Sequence, residues 1–296
     1  MKKWAIVTDS CSDLSKEFRD KYQIPYAKMM INWEDEQGEH HEEYASLDWD
    51  KLSSKEFYDI IRKGIRIYTS QTPISNYIET FSPFLEKGID VLYLACSSGL
   101  SASLNQAILL ADGELKEKYP DAKLVVVDSL RAGMSLGMIV IYAQKLKDEG
   151  KSLEEVQRII EEEKLTYKEI GIPETLTYLK RAGRVKASTA FMGNLISLKP
   201  ILVFDDKGVN LAVEKAIGKK KAFTRMAEII RDDIADKSED TYLMHADAST
   251  YDVEGFKKAI EEIAGVKNII IQPLGPIIGA SSGPGTLIFN YRSKTK

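Results

Sequence analysis

The stretch 91-VLYLACSSGLSASLNQ-106 decides how the chain is read. Its first six residues are an unbroken apolar run, with the length and composition of a strand buried on both faces. Four serines and one glycine then fall within the seven residues 97–103, where the chain must turn into a helix. Strand, polar turn and helix form half of a βαβ unit, and the pattern recurs on both sides. AIVTDS predicts a strand, SKEFRDKYQ a serine-capped helix and YAKMMINW a second strand. Helices are expected over about 48–63 and 74–87, then KLVVVDS as a strand and a long helix over about 133–149. Strands interleaved with helices at this spacing predict a parallel sheet covered on both faces.

The charged helix SLEEVQRIIEEEK is expected to be the hinge between two halves, 1–163 and 164–296. Beyond it the pattern changes. PILVFDDKGVNLAVEKA carries a hairpin signal around Asp-Asp-Lys-Gly, and TYLMHA, NIIIQPLG and GTLIFNY are strands among two helical patterns. The fold class is therefore α/β, an N-terminal parallel α/β sheet plus a C-terminal α+β domain rich in antiparallel pairs.

The chain has 296 residues, 44% of them hydrophobic, and a formal net charge of −4. An acidic balance argues against a nucleic-acid binder. No apolar run reaches the roughly 18 residues a membrane helix needs. The start, MKKWAIVTDS, enters a strand without a leader pattern, and two cysteines are too few for a disulfide framework. A cytoplasmic protein is expected, with Cys11 and Cys96 as small buried residues.

In open α/β sheets, ligands bind outside the carboxyl ends of the strands. Those ends carry Thr8-Asp9-Ser10, then Ser97, Ser98 and Ser101, then Asp128-Ser129. Thr69-Ser70-Gln71 is placed in a loop between helices that reaches the same edge. Gly275 to Gly285, GPIIGASSGPG, is taken as a flexible run that brings backbone close to a ligand. A serine nucleophile needs a base, and only three histidines exist. His40 and His41 fall in the acidic run EDEQGEHHEEY, read as an exposed loop, and His245 ends a strand alone. A serine hydrolase acting on acyl esters stays as the alternative. No P-loop or dinucleotide fingerprint occurs, and the acidic runs have the composition of a solvated face, so neither cofactor nor metal is expected. A hydroxyl-lined site for a small anion or carboxylate at a helix N-terminus remains, beside helices whose AILLA, GMSLGMIVIYA and AFMGNLISL runs are ordinary core or a tunnel lining.

At this point the chain resembles the DegV family of bacterial fatty-acid-binding proteins, which includes the B subunits of fatty acid kinase. TDSCSDL (8–14), TSQTP (69–73), SSGLSASLNQ (97–106), LKRAGRV (179–185), NLISLKPIL (194–202) and GPIIGASSGPGT (275–286) stand in the family's order over essentially the whole length. The resemblance implies a two-domain fold around a buried long-chain fatty acid of the palmitate, stearate or oleate class, with no enzymatic activity of its own. It implies a carboxyl group held by Thr69 and Ser101, with Ser98 and Ser70 beside them and Ser281, Ser282, Arg184, Asp9 and Ser10 in support. It also implies a fatty acid kinase catalytic subunit as partner; a monomer is expected otherwise. The family commonly has histidine where this chain has Ser281 and arginine where it has Ile217, departures that bear on kinase coupling more than on lipid binding.

Overall fold

The computed structural model describes residues 2–186 and 198–296. Nearly all of AFMGNLISL (190–198) and the first part of NLISLKPIL lie outside the described residues. The first half runs β1 (Trp4–Asp9), α1 (Lys16–Tyr22), β2 (Tyr26–Ala27), β3 (Met30–Glu34), β4 (His40–Tyr44), α2 (Ser54–Arg62) and β5 (Tyr68–Ser70). It continues with α3 (Ile74–Leu85), β6 (Asp90–Ala95), α4 (Ser103–Asp112), α5 (Glu114–Lys118), β7 (Leu124–Asp128), α6 (Met134–Asp148) and α7 (Leu153–Glu163). The second half runs β8 (Tyr167–Ile172), α8 (Thr177–Ala182), β9 (Val185–Lys186), β10 (Leu198–Phe204), β11 (Asn210–Ile217) and α9 (Lys219–Asp233). It ends with β12 (Asp240–His245), α10 (Thr250–Ala259), β13 (Asn268–Pro273), α11 (Pro276–Ser282) and β14 (Leu287–Arg292).

β2, β1, β6 and β7 pair in that order as a parallel sheet, and β1 and β6 are buried at every residue. Burial on both faces explains their unbroken apolar runs. The second half is one mixed sheet, β13-β12-β14-β8-β10-β11-β9, in which β12 with β13 and β11 with β9 are parallel and the other pairs antiparallel.

α6 is the helix both sheets share: it packs on β1 and β6 and also on β8 and β14. A helix buried from all sides needs apolar residues all round, hence GMSLGMIVIYA. Its approach is close enough that a Cβ on Gly137 would lie 2.6 Å from the Ser12 carbonyl oxygen, so only glycine fits there.

Several expectations are corrected. YAKMMINW is not one strand. Lys28 N donates to Asn76 Oδ1 at 2.6 Å and Met29 N to Ser10 Oγ at 3.0 Å. These bonds interrupt the ladder, so β2 stays in the parallel sheet and β3 leaves for an antiparallel sheet, β4-β3-β5. EDEQGEHHEEY is therefore no loop. Asp35 Oδ1 accepts from Gln37 N and Glu39 N to close a turn, and 40–44 pair with β3. Cross-strand partners hold this polar strand, and pairing of that kind leaves no mark in hydropathy. Thr69 and Ser70 belong to β5, against Ile31 and Met30 of β3. The helix expected from Asp48 begins only at Ser54, behind a Ser53–Glu56 capping box. Residues 276–282 of the glycine-rich run are helical, with proline at the first position. β8 carries no clear strand signal, because Lys168 and Glu169 break its apolar pattern, yet it lies between β14 and β10.

A buried cation joins the two halves. Arg131, 3% exposed, follows β7 and donates to the carbonyls of Tyr167, Leu165 (3.0 Å), Leu130 (2.7 Å) and Asp205 (3.4 Å). Arg131→Ala strands these carbonyls in the interior, and we expect it to lower stability by about 3 kcal/mol. Urea unfolding that gave the same midpoint and slope as the parent chain would refute this.

Candidate functional site

The site begins with Asp9, the last residue of β1. Its carboxyl accepts from Cys11 N (2.8 Å), Cys96 N (2.7 Å) and Tyr93 OH (3.2 Å). Burial pushes its pKa up to about 6, against the pull of those three bonds. Ser10 turns inward too and accepts from Met29 N. Both residues are scaffold that aims the chain after β1 and β6.

The serine turn is sorted by its partners. Ser97 Oγ donates to the Gly208 carbonyl at 2.8 Å and accepts from Gly99 N at 3.1 Å. Gly99 lies so close to the β10–β11 turn that a Cβ there would be 2.6 Å from Lys207 O. Ser98 is exposed, with its amide on Asp128 Oδ1 at 3.2 Å. Ser101 Oγ accepts from Ser103 N (3.2 Å) and donates to Ser103 Oγ (3.0 Å), which accepts from Thr72 N (3.3 Å). This chain of bonds ties the TSQT segment to the start of α4.

These segments enclose a cavity of about 400 Å³. Thr69, Ser70, Ser101, Arg184, Ser281 and Ser282 all line it, among apolar side chains including Met29, Leu202, Phe204, Ile277 and Ile288. Among the described residues, neither the Thr69 nor the Ser70 hydroxyl has a hydrogen-bond partner. Ser281 Oγ and Ser282 Oγ instead donate to carbonyls of their own helix, Ile277 (3.1 Å) and Ile278 (2.8 Å). Arg184 Nε donates to Leu100 O at 3.0 Å, which holds the SSGL turn in place. A second cavity of about 230 Å³ shares Thr69, Arg184 and Ser281 and adds Arg66 and Arg181.

Six of the expected site residues thus meet at one cavity. Ser98 is corrected: Ser97 takes the inward position, so the next side chain points to solvent, and Ser98 lies off the wall. Asp9 and Ser10 stand behind the wall. Among the described residues no histidine lines the cavity; His40 and His41 lie on β4, and burial lowers the His245 pKa. Asp35, Glu39 and His41 gather with ligating atoms within 4.8 Å of one another on the β3–β4 hairpin, where His41 stacks on Trp33.

The sequence reading missed several wall residues, Cys11, Cys96 and Glu169 among them. Cys11 and Cys96 reach the cavity because each follows a strand whose end Asp9 pins. Glu169 reaches it from β8, with no signal in the sequence. Burial raises the pKa of Glu169 to about 8, opposed by the Ser135 hydroxyl and Arg131. Asp13, fully enclosed beside the Gly275 amide, is pushed up to about 8 for the same reason.

The comparisons place this architecture in a known class. A sequence model described as "Uncharacterised protein, DegV family" matches residues 3–293. The DegV domain-containing protein CPE0026 of Clostridium perfringens is 35% identical over 100% of this chain and 99% of its own. The chain belongs to the DegV family. The crystal structure of a DegV lipid binding protein from Thermotoga maritima is 26% identical with a TM-score of 0.80, covering 99% of both chains. A DegV family protein from Thermus thermophilus, described by its fatty acid binding, is 27% identical with a TM-score of 0.79, covering 98% of this chain and 99% of its own. No helix among the described residues is long and apolar enough to cross a membrane.

The raised acids make stability fall as pH rises. Asp13 and Glu169 hold protons in the native state up to about pH 8, whereas the unfolded chain releases them near pH 4. Between those limits the native state binds more protons, so their contribution is full below about pH 4 and lost by about pH 8. Asp13→Asn should flatten that decline by up to about 1.4 kcal/mol per pH unit, one proton's worth. Urea midpoints at pH 5, 6 and 7 with the same slope in parent and variant would refute it.

Proposed function

We propose that the protein binds a long-chain fatty acid in the 400 Å³ cavity, with its carboxyl group at Thr69, Ser70 and Ser101. The observation that carries this reading is that Thr69, Ser70 and Ser101 meet at one cavity whose wall also carries Met29, Leu202, Phe204, Ile277 and Ile288. The lipid and fatty-acid binding of the Thermotoga and Thermus relatives supports it. The volume falls within the usual ~300–1,000 Å³ of small-molecule sites.

Burying about 15 methylenes yields roughly 12 kcal/mol before ordering costs, while a hydrogen bond nets about 1 kcal/mol. Affinity comes from the chain and orientation from the hydroxyls. Ser101 takes part by turning its proton from Ser103 towards the ligand, a rotation hydroxyls make freely. The hydroxyls are neutral donors, which favour the protonated acid, whereas the Arg184 guanidinium on the same wall favours the ionised one. In this reading residues 1–163 carry the hydroxyls and 164–296 close the cavity. Presentation to a fatty acid kinase subunit is the finer part of the proposal, and the side chain standing where relatives commonly have arginine, Ile217, is exposed on β11.

Extraction and mass analysis of purified protein should yield a long-chain fatty acid. Absence of any, with no binding of added palmitate or oleate, rejects the proposal. Thr69→Val should weaken palmitate binding about 5- to 30-fold, the equivalent of roughly 1–2 kcal/mol, while Thr69→Ser stays near the parent. Equal affinity of the valine variant by calorimetric titration would remove Thr69 from the clamp.

A further inference from the structure

Glu169 has no task in a cavity meant for a bare hydrocarbon chain. It is 8% exposed, lies on β8 and lines the 400 Å³ cavity. Its Oε2 is 3.2 Å from Ser135 Oγ, whose own proton goes to Ala132 O at 2.7 Å. Its Oε1 has no hydrogen-bond partner among the described residues. The nearby cation, Arg131, spends its donors on backbone carbonyls and makes no ion pair with it.

Two further features open the wall around this group. Alternation along a strand places Gly171 on the same side, and it too lines the cavity. A Cβ there would rest 3.4 Å from Ile288, so β8 presents a carboxyl group next to a position with no side chain at all. Asp13 Oδ2 and Glu169 Oε2 each lie 3.8 Å from the point a Cβ on Gly133 would occupy. Burial without a paired cation favours the neutral form of each, and a neutral carboxyl group both donates and accepts. Plain methylenes laid against such a group leave it unsatisfied, whereas a hydroxyl answers either role.

We propose that Glu169, backed by Ser135, is a second polar station of the cavity that hydrogen-bonds an oxygen function carried along the acyl chain. The ligand class is then an oxygenated long-chain fatty acid, first of all a hydroxy acid. This rests on the fatty-acid reading above and adds to it a second point of recognition.

The test is calorimetric titration of the full chain with stearate and with 9-, 10- and 12-hydroxystearate. At least one positional isomer should bind about tenfold more tightly than stearate. Glu169→Gln, which keeps donor and acceptor, should retain that preference, and Glu169→Leu should reverse it. Stearate binding as tightly as every isomer overturns the inference, as does a preference that survives Glu169→Leu. If the leucine variant does not fold, the parent comparison alone decides. Stearate binding without preference removes only this inference; no binding of any acid removes the fatty-acid reading with it.

Discussion

One carboxyl group sets the geometry of the site. Asp9 receives the amides of Cys11 and Cys96 on its two oxygens, so the chain leaving β1 and the chain leaving β6 are held by a single planar group. Neither segment can rotate without breaking a buried bond to a charged or polar acceptor, the expensive kind to lose. The TDSCSDL turn and the SSGLSAS turn therefore face the same space, and every residue argued to contact a ligand there depends on that placement.

Around this fixed point, labour is divided by polarity. The inward hydroxyls of Ser10, Ser97 and Ser103 satisfy backbone groups, and those of Ser281 and Ser282 return to their own helix. Those at Thr69 and Ser70 are left over. Ser70 is exposed and Thr69 half-buried, so these two hydroxyls stay open to a polar group that enters the cavity.

Much of this was legible in the residues. Unbroken apolar runs announced the parallel sheet, and the hydroxyls after strand ends announced the edge at which the cavity lies. Local pattern could not say which hydroxyl turns inward: Ser97 and Ser98 are chemically alike, and the contact with Gly208, more than a hundred residues away, separates them. Nor could it find elements held by their neighbours. β4 exists because β3 is beside it, and α11 was hidden by glycines that suggest looseness. Glu169 was invisible for the opposite reason: a charged residue in a broken apolar run is ordinarily solvated, and only β8's central place in the sheet encloses it.

The cavity draws its walls from all three sheets: Thr69 from the small antiparallel one, Cys96 beyond the parallel one, and Leu202 and Ile288 from the large mixed one. No such wall exists in the unfolded chain. Whatever fills the space is bound by the native state alone, and by mass action its concentration is added to the folding equilibrium. A ligand bound there would in that sense complete the hydrophobic core from outside the gene, and the melting temperature would rise with its occupancy.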